Sequence, residues 1–290
     1  MIRIGAHCSM KSPSYLEGSV KEALAYHANA LMIYTGPPQN TKRSAIEALH
    51  IEKAKALMAA NGISMEAMVV HAPYIINLAN SVKAETYDLA KSFLRQEIDR
   101  VTAIGAKYLV LHPGSFTTAT FEIGVEYIIN GLNEILRSND TVMILLETMA
   151  GKGSEIGKDL ESLRMIRDHV KYDHLIGVCV DTCHMNDAGY DVNNVDQWID
   201  TLDQIIGLDH IPVMHINDSK NPRGSHKDRH ANIGYGSLGF TTLNTIVHHP
   251  RLEHVIKILE TPYINGMPPY GAEIDALIHN DPARLPEDGA

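Results

Sequence analysis

The chain has 290 residues, 44% of them apolar, and a formal net charge of −10. That length and apolar content allow one large α/β domain or two modest ones with a sizeable core, while the acidic balance argues against broad electrostatic attraction to nucleic acid or anionic membrane. Any phosphate binding then needs a local source of positive charge.

No run approaches the roughly 18 uninterrupted apolar residues of a membrane helix, and the start "MIRIGAHCSM" lacks the apolar stretch and cleavage site of a secretory signal. Cys8, Cys179 and Cys183 are odd in number and not in C-x-x-C spacing, which suits a reducing cytosol rather than a disulfide framework.

Taken in chain order, short β-branched or aliphatic runs recur, each followed by helix-like periodicity. They are "MIRIGAH" ending at His7, "ALMIYT" at Thr35, "ISMEAMVVH" at His71, "AKYLVLH" at His112, "VMILLE" at Glu147, "IGVCVD" at Asp181, "IPVMH" at His215 and "VIKILE" at Glu260. Between them lie amphipathic segments such as "AETYDLAKSFLRQEIDRVTAIG" and "VEYIINGLNEILRSN", with Gly62 and Gly105 where helix C-caps would fall. Eight strand–helix alternations predict an α/β fold, a (β/α)8 TIM barrel, rather than a doubly wound open sheet. No linker or shift in composition splits the chain. A single barrel domain over 1–280 is expected, with 281–290, "DPARLPEDGA", as a loose tail.

Strand parity orients the ends. Cys179 and Asp181 share one face and Val178 and Val180 the other, so if the valines face the helices Asp181 turns inward at the C-terminal rim, where barrel enzymes place their chemistry. The same parity turns Glu147 and His215 inward. One polar residue at a strand end is ordinary, and a single His there is more often a satisfied core side chain than a ligand. Six consecutive strands ending in His, His, Glu, Asp, His and Glu reverse that reading. Inward carboxylates this close repel one another and suffer desolvation unless a cation compensates them.

Two further clusters add to the set. His184 lies one short turn beyond Asp181, and in "SHKDRHANIG" Asp228 and His230 are spaced i, i+2, so that in extended backbone both point the same way. The inventory is five His (71, 112, 184, 215, 230) and four carboxylates (Glu147, Asp181, Asp228, Glu260). A catalytic zinc takes three or four protein ligands, so three ions with shared carboxylates fit better than one or two. Imidazole-rich ligation favours Zn2+, with Mn2+ or Fe2+ left open by the carboxylate share. Three divalent ions bring +6 against −4, leaving +2 to hold a phosphate. "GYGSLG", Gly234 to Gly239, matches G-x-G-x-x-G but follows the polar "DRHANI" loop instead of a strand, so it predicts a glycine-rich turn near the metal loop or a phosphate and no dinucleotide site.

"VHAPYIINL", "LETMAGKGSEIG", "GVCVDTCH" and "HINDSKNPRGSHKDRHANIGYGSLG" together closely resemble the endonuclease IV family of AP (apurinic/apyrimidinic) endonucleases, over essentially the whole chain. The resemblance implies a trinuclear-zinc barrel enzyme. It would cut double-stranded DNA 5′ to an abasic site, leave a 3′-hydroxyl and a 5′-deoxyribose phosphate, and clear blocked 3′ ends. Its place would be the cytoplasm, on nucleoid DNA and not on a membrane, with a monomer as the default state.

Carried over, His71, His112 and Glu147 would hold one ion. Glu147 would bridge to a second, held also by Asp181, His215 and Glu260, and His184, Asp228 and His230 would hold the third. Glu260, Glu147 and His112 are the candidate catalytic residues. Tyr74 and Ile75 resemble the family's intercalating element. The loop after strand two, "TGPPQNTKR", presents Gln39 and Asn40 at its tip, with Lys42 and Arg43 behind, in place of the arginine some members carry. Near the site, Lys220, Arg223, Lys227 and Arg229 are the candidate phosphate contacts.

Two rivals stand beside this reading. A metal-dependent sugar isomerase or epimerase of the same architecture needs only one or two ions and a base for proton abstraction, which nine ligands exceed. A catalytically silent nucleic-acid-binding module is disfavoured by so acidic a chain.

Overall fold

The computed structural model describes residues 1–287. Ten strands occur there: β1 Arg3–His7, β2 Ala30–Ile33, β3 Met68–His71, β4 Tyr108–Leu111, β5 Met143–Glu147, β6 Ile176–Asp181, β7 Val213–His215, β8 Asp218–Ser219, β9 His230–Ala231 and β10 Ile256–Leu259. Eight of them, all but β8 and β9, close into an all-parallel barrel in which β10 returns to β1. These are the eight runs read from the sequence. Their interiors are buried throughout, as expected for parallel strands covered on both faces. β8 and β9 pair antiparallel as a small ribbon at the rim, inside the long connection that follows β7.

Nine helices are described: α1 Tyr15–Ala25, α2 Ile51–Ala60, α3 Ala84–Ile104, α4 Phe121–Ile135, α5 Leu160–His169, α6 Thr182–Ala188, α7 Val195–Ile205, α8 Gly239–His248 and α9 Tyr270–His279. α3 shows why the amphipathic segments lie where they do: Phe93, Leu94, Ile98, Val101 and Ile104 recur at helical spacing and are all buried. Each large apolar side chain so removed from water contributes about 1.5–3 kcal/mol, and Leu94→Ala would cost roughly 2–5 kcal/mol. Gly105 ends α3 at φ 85°, a left-handed cap that a β-carbon would strain.

Some boundaries differ from the sequence reading. β3 starts at Met68 and not Ile63, because the Ser64 hydroxyl caps a one-turn helix, Met65–Ala67, by accepting the Glu66 N–H. β2 stops at Ile33; Tyr34 turns to the rim cavity, and Thr35 leaves the ladder to donate its hydroxyl to the buried Glu97 carboxylate. Of the expected tail, Pro282–Arg284 forms a single turn, Leu285 packs partly on the core and Arg284 pairs with Asp275; residues 288–290 lie outside the described residues. Among the described residues no helix is long and apolar enough to cross a membrane.

Candidate metal centre

The C-terminal ends of β3 to β7 and β10 bring their polar residues to one point. Asp181 sits directly opposite His215 in the β6–β7 ladder, and Glu147 opposite Cys179 in the β5–β6 ladder, so parity delivers all three to the barrel axis. Glu147 is the hub. Its Oε2 lies 3.1 Å from His71 Nε2 and 3.0 Å from His112 Nε2, and its Oε1 lies 2.9 Å from His215 Nδ1. His215 Nδ1 is also 3.0 Å from Glu260 Oε2 and 3.8 Å from Asp181 Oδ2. One ring nitrogen thus faces three carboxylates, those of Glu147 and Asp181 buried and that of Glu260 partly so.

Asp181 answers what an acid does at the end of an apolar strand. Its Oδ1 accepts the His184 N–H and caps α6, which positions His184 one turn further on. Its Oδ2 accepts from Asn217 Nδ2 at 2.7 Å and turns toward His230 Nε2 at 3.6 Å. The imidazoles are aimed by a common device. His71 Nδ1 donates to the Ala72 carbonyl, His184 Nδ1 to that of Thr148 and His230 Nδ1 to that of Glu260, which leaves each Nε2 facing carboxylate oxygen.

Three sets of donor atoms lie within 4.8 Å of one another: His71, His112 and Glu147; Glu147, Asp181, His215 and Glu260; and Asp181, His184 and His230. Asp228 stands at the outer side of the third set. Its Oδ1 is 3.0 Å from His184 Nε2 and 3.6 Å from His230 Nε2, while its Oδ2 takes the Lys152 ammonium at 2.7 Å. The extended backbone expected there is absent: Asp228 is left-handed (φ 52°), held by its N–H donating to Asp187. It reaches the cluster by that turn and not by strand parity.

Charge and burial show what the cluster can hold. Burial alone would push Glu147 up, but His215 and His112 hold its carboxyl well below the usual range. Burial would push His184 down, yet Asp181 and Asp228 raise it well above the usual imidazole value. In the chain alone, protons on imidazoles balance the carboxylates. His230 Nε2 is buried, has no hydrogen-bond partner and points between Asp181 and Asp228. Imidazole nitrogens that release those protons, set against carboxylates, are the donor chemistry of a divalent cation, so the residues fit metal ions.

A cavity of about 410 Å³ opens over the cluster, and a second of about 490 Å³ adjoins it across Tyr34, Tyr74 and Glu260. Tyr74 is 53% exposed and joined to Tyr34 hydroxyl to hydroxyl at 2.8 Å, while Ile75 packs partly against the core. Gln39 lines the second cavity; Asn40 is exposed beside it, and its side-chain oxygen accepts the Lys42 N–H. Arg43 is not free to meet a ligand: it pairs with Glu97 at 2.7 Å and donates to the carbonyls of Pro37, Asn40 and Lys42, stapling the loop. Lys220, Arg223, Lys227 and Arg229 are exposed around the β8–β9 ribbon, with Arg223 paired to Asp191, and none lines either cavity.

Sequence reasoning passed over His7, Tyr34, Asn217 and Lys152. His7 ends the first strand as the ligand candidates end theirs and lines the second cavity, so its signal was the same as theirs. Lys152 lies in the quoted "LETMAGKGSEIG" but five residues past its strand end. Asn217 bridges Asp181 to the Glu260 N–H, a contact between strands that spacing does not reveal. The "GYGSLG" loop does hold an anion, and that anion is the chain's own Asp218. Ser219, Gly234, Gly236, Leu238 and Gly239 all donate N–H to its carboxylate. A β-carbon on Gly236 would lie 2.3 Å from Asp218 Oδ1, which leaves room for glycine only.

Residues 20–279 match the family model described as the xylose isomerase-like TIM barrel. A probable endonuclease 4 of Geobacillus kaustophilus is 55% identical over 96% of this chain and 94% of its own length. The crystal structure of endonuclease IV from Thermus thermophilus superposes with a TM-score of 0.82 at 30% identity, covering 96% of this chain and 99% of that one. A D-tagatose 3-epimerase-like protein superposes at 0.66 with 18% identity, covering 95% of this chain and 96% of its own, a likeness of fold alone.

Proposed function

The chain belongs to the endonuclease IV family of AP endonucleases, and from that premise we propose that it hydrolyses the DNA phosphodiester 5′ to an abasic site. It is a metal-dependent endonuclease of that class. The products would be a 3′-hydroxyl and a 5′-deoxyribose phosphate, and blocked 3′ ends would be cleared at the same centre. The observation that carries this reading is the interlocking of three donor sets through Glu147 and Asp181, beside an unpartnered, buried His230 Nε2.

Nine residues would hold three Zn2+ ions, with Mn2+ or Fe2+ able to serve the carboxylate-rich positions. His71, His112 and Glu147 form the first site. Glu147, Asp181, His215 and Glu260 form the second, and His184, His230 and Asp228 the third, with Asp181 able to share in it. When bound, the ions supply Lewis-acid charge for a phosphate and acidify a water.

The protein's own contribution is position. Glu147 and Glu260 both approach His215 Nδ1, which ties the donor sets together, and Glu260 would orient the attacking water and accept its proton. His112, partly exposed, reaches Glu147 from the cavity side. Tyr74 and Ile75 stand where they can enter the base stack, and Gln39 and Asn40 flank them from the loop that Arg43 shapes. An abasic nucleotide would leave the duplex and enter the cavity at least cost, having no base to unstack.

Incubation with a duplex carrying one abasic analogue, followed by sizing of the products, tests the reading. A single cut immediately 5′ to the lesion supports it. An intact duplex together with turnover of a ketose or aldose would replace it with the isomerase reading. Binding without cutting would replace it with a silent binding module.

A further inference from the structure

We propose that Lys152 is the phosphate-binding cation of the metal-centre cavity, holding Asp228 with one ammonium hydrogen and a non-bridging oxygen of the substrate phosphate with another. It rests on the reading above, because it requires a DNA phosphate in this cavity.

Lys152 is the one Lys or Arg among the described residues that line the cavity over the cluster. Every other charged side chain on that wall is a carboxylate or an imidazole: Glu147, Glu155, Asp228 and Glu260, with His71, His112, His184 and His230. A phosphate entering there meets carboxylates of its own sign, and Lys152 is the chain's own counter-charge at the mouth. Lys11 lines only the adjoining cavity, and the other candidate cations are engaged or remote. Arg43 is buried against Glu97, Arg223 is paired with Asp191, and Lys220, Lys227 and Arg229 do not reach the wall.

The loop is built to hold the side chain there. Gly151 and Gly153 flank it at φ 82° and 55°, and the Lys152 N–H donates to Glu155 Oε2 at 2.8 Å. The ammonium lies 2.7 Å from Asp228 Oδ2 and 3.7 Å from Glu155 Oε1, with 43% of the side chain exposed. Asp228 divides its oxygens: Oδ1 faces His184 and Oδ2 faces Lys152. The lysine therefore leaves the ligand-facing oxygen free. An ammonium has three hydrogens, and those not given to Asp228 are available to an anion in the cavity.

The test uses the full-length, metal-loaded protein as wild type, Lys152→Gln and Lys152→Arg. Three quantities are read: ion content, affinity for an abasic-analogue duplex across a salt series, and the split of kcat from KM. Lys152→Gln is expected to keep the wild-type ion content, bind the duplex roughly five- to twentyfold more weakly and flatten the salt slope by about one unit. KM should rise more than kcat falls. Lys152→Arg should keep the slope.

Lys152→Gln with wild-type affinity and slope overturns the assignment. So does a Gln variant that loses an ion but regains wild-type binding when ions are saturating, since Lys152 would then act on Asp228 alone. A wild-type protein that neither binds nor cuts the abasic duplex removes the functional reading and this role together. A wild-type protein that does both beside an unaltered Gln variant removes this role alone.

Discussion

Glu147 and Asp218 are both buried carboxylates near the same end of one barrel, and their surroundings are opposites. Asp218 accepts five backbone N–H groups between 2.8 and 3.1 Å, from Ser219 and the glycine loop that follows β9. Glu273 is similar, satisfied by the Ile233 N–H, Asn232 and Thr261. Glu147 has only imidazoles around it, and two further carboxylates, Asp181 and Glu260, share His215 with it. Aligned peptide dipoles complete a buried acid from within the chain. The imidazoles around Glu147 do so only by taking up protons, and neutral rings would turn lone pairs toward the acid. Burial therefore means different things at the two places: around Asp218 and Glu273 it marks a folded loop, and around Glu147 a cluster fitted to hold a cation.

Removing the metals should separate the two regions most. Chelation is expected to lower cleavage of an abasic duplex by at least about a thousandfold, while far-UV circular dichroism keeps its helical signal because the Asp218 cradle is self-sufficient. Elemental analysis before chelation should give close to three ions per chain; a clean value of one or two would break the three-ion account.

A single-residue version follows. Glu260→Gln keeps the shape of the cluster and removes one charge, and a rate loss of about a hundredfold or more is expected with abasic-duplex binding largely kept. Near wild-type cutting by this variant would take Glu260 out of the centre.

Asp218→Asn tests the other side. An amide presents an NH2 to donors that now meet a carboxylate, so folding stability should fall by about 1–3 kcal/mol. Ion content per folded molecule should stay at the wild-type value. Loss of ions in step with loss of stability would merge the two regions into one.

The smallest effect expected is a pH dependence at Glu273. Burial raises its carboxyl above the usual value, and the bonds from Thr261, Ile233 and Asn232 only partly oppose that. A carboxyl raised in the folded state favours folding when protonated; its contribution is full below the ordinary glutamate value and is lost as pH rises through the raised one. Glu273→Gln stays neutral, so its Tm should gain on wild type as pH climbs from about 4 toward neutrality. A difference independent of pH would show that Glu273 is not held above its usual value.

The barrel was legible because its signals are local. Eight apolar runs with amphipathic helices between them follow from side-chain alternation and helical periodicity, which a chain carries wherever it folds. The candidate metal centre was legible for a related reason: parallel strands end at one rim, so residue type at strand ends reports what converges there, and resemblance to a family supplied how the ligand candidates would divide. Where the reading went astray, a contact between distant segments had intervened. Thr35 left its strand for Glu97, and Asp228 reached the cluster through a left-handed turn.

By itself, the sequence determined the order of elements, the chemistry of the nine ligand candidates and the end of the barrel at which they gather. Only the tertiary structure decided that "GYGSLG" cradles Asp218, that Asn217 ties Asp181 to the end of β10, and that Lys152 is the cation at the cavity wall. Each of these joins loops from different strands, and the free energy of such a contact depends on distance and burial, which no spacing along the chain encodes.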